Sequence, residues 1–447
     1  MPRLMPLSGY PEWSPRDRVI ERDLLGSLHE TFRLHGFTEI ETRAVEPLER
    51  LVGDSETSKE IYGISRVADP GEEMRAGLHF DLTVPFARYV EEFQSELVFP
   101  FRRYQIQKVW RGERPQEGRF REFYQADIDV VGRDSLPIHV DADVASVMLE
   151  ALAALPISPV RMHINNRRVV EGFYRGVGVT DVPQALRSVD KLPKIGTDAV
   201  RDELVSHGLD ESISATILEL AKIRSDGGEF VSAVEDLWES SRHVSDVELH
   251  QETLARGLLE LRETWESINS RHPQMVTVDL SIARGLDYYT GNVFETFVEG
   301  DDRLGSVCSG GRYESLITGG GFPGVGLSIG VSRLVSRLVS SGRVSVTRAV
   351  PTVVVVAVIH EDSRADSQRV ANILRGRGIA TEVAPVAAKF GKQIQYADKR
   401  DIPYVWFPGA AGSADEVKDI RSGHQSEADV STWEPPAEDA RPRVERH

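Results

Sequence analysis

Between Ser14 and Gly36, the apolar residues Ile20, Leu24, Leu28 and Phe32 recur at every fourth position with charged residues around them. That period predicts an amphipathic helix, capped by Ser14, begun by Pro15 and ended by Gly36. From there to about residue 175, short strand-like alternations mix with short helices. Over roughly 180 to 270 the texture becomes polar with a helical period, as in "DAVRDELVSHGLDESISATILELAKI" and "ETLARGLLELRETWESI"; strand patterns return at "MVTVDLSIARGLDYYTGNVFETFVEG". A helical block with strand-rich sequence on both sides predicts an insertion rather than a tandem domain. "SSGRVSVTRAVP" reads as a linker. Beyond it, "TVVVVAVI" and "YVWFPG" are the continuous apolar runs of strands buried on both faces, with a helix ended by Gly378 between them, which predicts an α/β domain. The closing "PPAEDARPRVERH" is expected to be disordered.

Composition narrows the function classes. A chain of 447 residues exceeds one ordinary core, so two or three domains are expected. A net charge of −17 argues against bulk, non-specific coating of nucleic acid, while leaving room for a local basic surface. The single cysteine, Cys308, excludes an internal disulfide framework and a cysteine-based zinc site, and no HExxH pair occurs. No apolar stretch of about 18 residues is present, and the N-terminus lacks the apolar core of a signal peptide, so a reducing cytoplasm is the expected setting.

The chemistry concentrates in "WRGERPQEGRFREFYQADIDVVG". Alternation puts Tyr124, Ala126, Ile128 and Val130 on one face of a strand and Phe123, Gln125, Asp127 and Asp129 on the other. The preceding "QKVWRGE" carries Val109, Arg111 and Glu113 with one parity, so an antiparallel hairpin turning at Gly118 is expected. A surface hairpin laced with exposed ion pairs would also use many charges, each worth less than about 1 kcal/mol. The in-line aromatic argues for more: guanidinium groups suit phosphate, and a ring can stack on a base. Arginine, phenylalanine and carboxylates on one sheet suggest a nucleoside triphosphate beside a cationic small molecule. The phosphate-binding signatures GxxxxGK[ST] and GxGxxG are missing; the run "GGGFPGVG" follows a loop and reads as a tight turn.

Taken together, the motifs are specific. "FRRYQIQKVWRGERPQEGRFREFYQADIDVVG" resembles motif 2 of class II aminoacyl-tRNA synthetases in its histidyl form, and "GVGLSIGVSRL" resembles motif 3. "ARGLDYYTGNVFETF" and "SVCSGGRYESL" are similar to the two stretches peculiar to histidyl-tRNA synthetases. "SETSKEIYG", "FDLTVPFARYV" and "KFGKQIQYADKRDIPYVWFPG" are also similar to that family, so the resemblance runs from about residue 10 to 425. It implies an α+β fold: a six- or seven-stranded antiparallel catalytic sheet with a helical insertion, then an α/β anticodon-binding domain. The boundaries expected are 1–180 and 273–345 for the two parts of the core, 181–272 for the insertion, 350–430 for the anticodon-binding domain and 431–447 for a disordered tail. It also implies a homodimer that forms histidyl-adenylate from histidine and ATP, with Mg²⁺ on the β- and γ-phosphates, and then charges tRNA(His).

Residue by residue, the resemblance places Arg111 and Arg284 on the α-phosphate from opposite sides as the catalytic cations. Glu113 would meet the adenine amino group, Arg119 the γ-phosphate, and Phe123 one face of adenine. Arg333 would cover the other face and contact the γ-phosphate, with Gly330 and Ile329 expected three and four residues earlier on its own helix. Read alone, Arg333 is an ordinary exposed helix arginine. Asp81, Thr83 and Gln125 would hold the α-ammonium, Asp129 and Tyr289 the imidazole, and Tyr288 would lie beside the pocket; "DYY" in isolation reads as a core aromatic pair. No protein cage for a metal is implied. The chain departs from the family at Arg43, where motif 1 normally carries a proline, and at Ser309, where a glycine is usual. Asp81 and Asp129 stand where some branches use glutamate, so their reach is one methylene shorter. Some relatives are regulatory subunits that lack charging activity, the C-terminal domain and the arginine stretch; this chain keeps both. A synthetase for another amino acid is opposed by "RGLDYYTG".

Overall fold

The computed structural model describes residues 5–52, 59–68, 73–116, 118–242, 247–282, 288–314, 317, 320–409 and 413–447. They divide into two compact units, one of Met1–Pro11 and Leu24–Arg337, the other of Glu12–Asp23 and Leu338–His447. The helix expected from the four-residue period is Pro15–Leu34. Ile20, Leu24, Leu28 and Phe32 are all buried on it, Ser14 Oγ accepts the Asp17 amide, and Gly36 takes the positive φ that ends the run.

In the larger unit the strands are β1 Thr38–Glu39, β2 Val45–Pro47, β3 Gly63–Ile64, β4 Ala76–Leu78, β5 Phe101–Trp110, β6 Glu122–Val131, β7 Val160–Asn166, β8 Arg224–Ser225, β9 Val276–Asp279, β10 Tyr289–Val298, β11 Cys308–Tyr313 and β12 Gly324–Gly330. Nine of them form one sheet in the order β1-β5-β6-β12-β11-β10-β7-β9-β8, two or three strands more than expected. The six from β5 to β7 in that order are antiparallel throughout; β1 joins β5, and β9 joins β7, in parallel. One face buries Ala126, Ile128, Val130, Leu327, Ile329, Phe294 and Ile164. Helices His139–Ala153 and Val247–Arg271 pack against the sheet. A buried clamp ties β11 to the first of these: Arg312 donates to Asp141 at 2.8 Å and to the Leu136 and Pro137 carbonyls at 3.0 Å.

The expected helical insertion contains helices Val182–Val189, Leu192–Ser206, Glu211–Lys222, Phe230–Ser241 and Val247–Arg271, but it is not set apart from the sheet. The last and longest packs on helix Arg167–Gly176 and on β7, while β8, inside the block, extends the sheet edge beyond β9. Among the described residues no helix is long and apolar enough to cross a membrane.

In the second unit the strands are β13 Val344–Val346, β14 Val354–Val356, β15 Thr381–Val383, β16 Tyr404–Phe407, β17 Glu416–Asp419, β18 Gln425–Glu427 and β19 Val444–Arg446. A five-stranded sheet runs β15-β14-β16-β17-β18, parallel across its first three strands. The valine run is continuous because both faces are covered. Val354 and Val356 join Val370, Leu374 and Trp406 on one side, and Val355 and Ala357 join Ala397, Val405 and Phe407 on the other. Two expectations fail here. The linker contains β13, and the tail expected to be disordered returns as β19 to pair with it. Trp433 packs 5.5 Å from Trp406, while Asp439 accepts from Tyr404 and Arg421 at 2.7 and 2.8 Å. These apolar and ionic contacts anchor a segment whose polar composition alone suggested none.

Candidate active site

The hairpin expected around Gly118 forms, with a φ of 70° at that glycine. Its register sets Val109 opposite Phe123, Gln107 opposite Gln125, Gln105 opposite Asp127 and Arg103 opposite Asp129. On the next strand Gly330 faces Gln125, Ser328 faces Asp127 and Gly326 faces Asp129. Because paired residues share a face, this lays an aromatic, amides, carboxylates and a guanidinium in rows over one side of the sheet, opposite the helix-covered side.

Two glycines make room for the larger groups. A Cβ at Gly326 would lie 2.0 Å from Asp129 Oδ1, and one at Gly311 would lie 2.9 Å from the Tyr289 ring. Gly330 differs: its nearest atom to an added Cβ would be 3.9 Å away, and it opens into a cavity of about 940 Å³. That cavity is lined by Arg111, Glu113, Arg119, Phe123, Gln125 and Arg333, among others, and continues along the sheet to His163 and Arg224. Gly330 and Ile329 end β12 instead of lying on the Arg333 helix, and Ile329 is fully buried. The turn from strand to helix falls between Gly330 and Val331, and strand alternation sends the two side positions to opposite faces.

At the cavity end, the Arg111 guanidinium lies 5.3 Å from the Phe123 ring centroid and donates through Nε to the Phe80 carbonyl at 2.9 Å. Arg119 faces Glu113 at 3.4 Å. Arg333 donates to the carbonyls of Gly118, Leu304 and Ser306, which positions it across from the hairpin tip. Arg284 lies outside the described residues.

At the other end Asp81, Gln125, Asp129 and Tyr313 are buried, and Tyr288 and Tyr289 are half-buried. Asp81 Oδ1 accepts the Val84 amide at 3.1 Å, capping helix Thr83–Phe93, whose first residue, Thr83, is half-buried. Gln125 donates to Ser328 Oγ at 2.6 Å and accepts from Arg111 at 3.5 Å. Asp129 pairs with Arg103 at 2.6 Å and accepts from the Tyr313 hydroxyl at 2.9 Å. The Tyr288 ring lies 4.6 Å from Tyr289 and edge-on to Tyr313 at 6.4 Å. Burial pushes the Asp81 carboxyl up to about 6 and that of Asp127 up to about 7, and it raises Asp129 against the pull of Arg103. The Tyr288 and Tyr313 phenols are raised well above their ordinary value for the same reason. Desolvation therefore dominates this end: it stores carboxylates that an incoming cation or N–H donor would stabilise as anions.

The sequence expectation missed Arg103 and Tyr313. Arg103 shares the parity of Gln105, Gln107 and Val109, so extending the alternation four residues back along "FRRYQIQKVW" would have found it. Tyr313 follows a glycine pair and an arginine, and only the β11–β12 register turns it toward Asp129. Among the described residues no group of three or more His, Cys, Asp or Glu side chains is arranged to hold a metal.

Comparisons with known proteins cover nearly the whole chain. Residues 9–334 match the family model for histidyl-tRNA synthetase, and residues 353–431 match an anticodon binding domain. The chain is 51% identical to a histidine–tRNA ligase of Micrococcus luteus, over 100% of this chain and 99% of that one. It is 50% identical to a histidine–tRNA ligase of Cutibacterium acnes, over 99% of each. The crystal structure of histidyl-tRNA synthetase from Nostoc sp. PCC 7120 superposes with a TM-score of 0.82 at 34% identity, covering 96% of this chain and 97% of that one.

Proposed function

Since this chain belongs to the histidyl-tRNA synthetase family, we propose that its sheet joins L-histidine to ATP as histidyl-adenylate and then charges the 3′ end of tRNA(His). The observation that carries this reading is the single-face row of Phe123, Gln125 and Asp129, with Arg111 over the ring end and buried carboxylates beside tyrosines at the other. Phe123 and Arg333 hold adenine between them over the open Gly330, Glu113 accepts its amino group, and Arg119 holds the γ-phosphate. Asp81, Thr83 and Gln125 receive the α-ammonium; Asp129 and Tyr289 receive the imidazole beside Tyr288. The histidine carboxylate oxygen then attacks the α-phosphorus, the bond to the bridging oxygen breaks, and pyrophosphate leaves. Arg111, with Arg284 as the second catalytic cation, stabilises the negative charge that grows on the α-phosphate, the kind of preorganised donor whose loss typically lowers a rate by about 10²–10³. Magnesium enters with the triphosphate, held by phosphate oxygens and water.

The same reading assigns residues 350–430 to the anticodon, the helical block 181–272 to the acceptor arm, and the working enzyme to a homodimer. Specificity follows from burial: an amino acid that cannot donate to the carboxylates leaves buried acceptor capacity unmet, which discriminates strongly. The test is ATP–pyrophosphate exchange with each of the twenty amino acids offered separately, followed by charging of tRNA. Exchange with histidine alone is expected. Exchange with a different amino acid, or with none, would overturn the reading.

A further inference from the structure

Asp127 lies on β6 midway between Gln125 and Asp129, on the same face as both. It is 2% exposed, and among the described residues its Oδ1 meets no hydrogen-bond partner. The neighbours do not reach it. Gln105, directly opposite on β5, gives its amide hydrogens to Thr42 and Gln107, and Gln125 gives one of its own to Ser328. Arg103 acts on Asp127 through its charge, but its Nε and Nη1 meet no hydrogen-bond partner among the described residues, Asp127 included. Ser328 bonds the Asp127 carboxylate and leaves Oδ1 unmet. An unpaired buried acceptor typically costs about 1–3 kcal/mol, so one that persists within a binding face points to a donor that arrives with the ligand.

Asp129 narrows the choice of donor. Each of its oxygens already has one partner, Oδ1 the Tyr313 hydroxyl and Oδ2 Arg103, and keeps one lone pair for a second donor, whereas Asp127 Oδ1 has neither lone pair met. An imidazole ring has two nitrogens and always carries at least one N–H, so it presents a donor that needs an acceptor. The charge balance agrees. Asp81, Asp127 and Asp129 are all buried, with Arg103 beside them and Arg111 also acting on Asp81. Three carboxyls against two guanidinium groups in a dry site favour an occupant that brings N–H donors.

Building on the histidine-activating reading, we infer that Asp127 is a further specificity-determining residue, its free Oδ1 accepting a hydrogen bond from an imidazole N–H of the bound amino acid. The ring is then read by Asp127 together with Asp129 and Tyr289. Side-chain identity is thereby checked at two carboxylates on alternate positions of one strand.

The experiment is a coupling cycle. Pyrophosphate exchange is measured for the full-length protein and for Asp127→Ser, with histidine and with 2-thiazolylalanine, whose five-membered ring lacks an N–H. For histidine, kcat/KM is expected to fall about 10- to 100-fold in the variant; for thiazolylalanine it should change less than about threefold, because that ring never made the bond. The KM for ATP should not move. If the serine variant does not fold, the isosteric Asp127→Asn carries the same comparison, with a smaller selective loss because its amide oxygen still accepts. Equal losses for both amino acids would mean a structural role and overturn the assignment, as would no loss at all. If the unaltered protein exchanges with histidine but shows no ring-selective coupling, only Asp127 is removed from the site. If it does not exchange with histidine, both the functional reading and this inference fall.

Discussion

Replacing Asp127 with asparagine is expected to stabilise the ligand-free protein, and to do so increasingly as pH rises. Burial lifts the carboxyl from 3.8 to about 7 even though Arg103 pulls the other way. The folded protein therefore holds this proton more tightly than the unfolded chain does. The stability it contributes is fully present below about pH 4 and is lost as pH rises through about 7. The whole window is worth at most about 4 kcal/mol, and the part between about pH 5.5 and pH 8 about 2 kcal/mol, at roughly 1.4 kcal/mol per pH unit. Asparagine keeps the shape and carries no titrating proton, so this loss disappears. Asp81, lifted to about 6, titrates in the same direction and remains, so the variant still becomes less stable with pH, only less steeply. Urea unfolding of both proteins near the two pH values gives the check: the variant should gain about 2 kcal/mol relative to the parent between them. Added salt should change the difference little, since the group is out of water. An offset that is the same at both pH values, or destabilisation that grows toward pH 8, would refute the reasoning that desolvation governs this carboxylate.

Gly326→Ala should raise the KM for histidine more than tenfold with little change for ATP, because the new Cβ would sit 2.0 Å from Asp129 Oδ1 and displace it from Tyr313 and Arg103; steady-state exchange kinetics decide it. Tyr313→Phe removes one buried bond to that carboxylate and should weaken histidine binding by about tenfold, since hydrogen bonds to charged groups contribute about 1.5–3 kcal/mol. An unchanged histidine KM would place Asp129 outside the pocket. Phe123→Ala should raise the KM for ATP and leave that for histidine within about twofold, since stacking on a base is worth about 1–3 kcal/mol.

The sequence alone was enough wherever chemistry or packing is local. The four-residue period buried Ile20, Leu24, Leu28 and Phe32 as expected, because a helix face repeats at that spacing whatever lies against it. The period-2 order of Phe123, Gln125 and Asp129 likewise fixed one end-to-end row, since alternation is a property of the strand itself. The quoted motifs carried the family. What they could not supply was which strands become neighbours. Arg103 meets Asp129 across the local β5–β6 hairpin, but Tyr313 reaches it from β11 only because β12 pairs with β6, a strand distant in the chain. Gly326 read as part of a tight turn, and Gly311 carried no reading, until register set a carboxylate and a ring where their side chains would have been. The C-terminal segment shows the same limit, for its polar composition says nothing of Trp433 closing a core against Trp406 or of β19 completing β13. Burial was the last quantity withheld from the sequence. An aspartate on a strand is an ordinary ionised group in water, and only the folded sheet, by excluding water from Asp81, Asp127 and Asp129 together, turns three such groups into a pocket that must be answered by a donor-rich ligand.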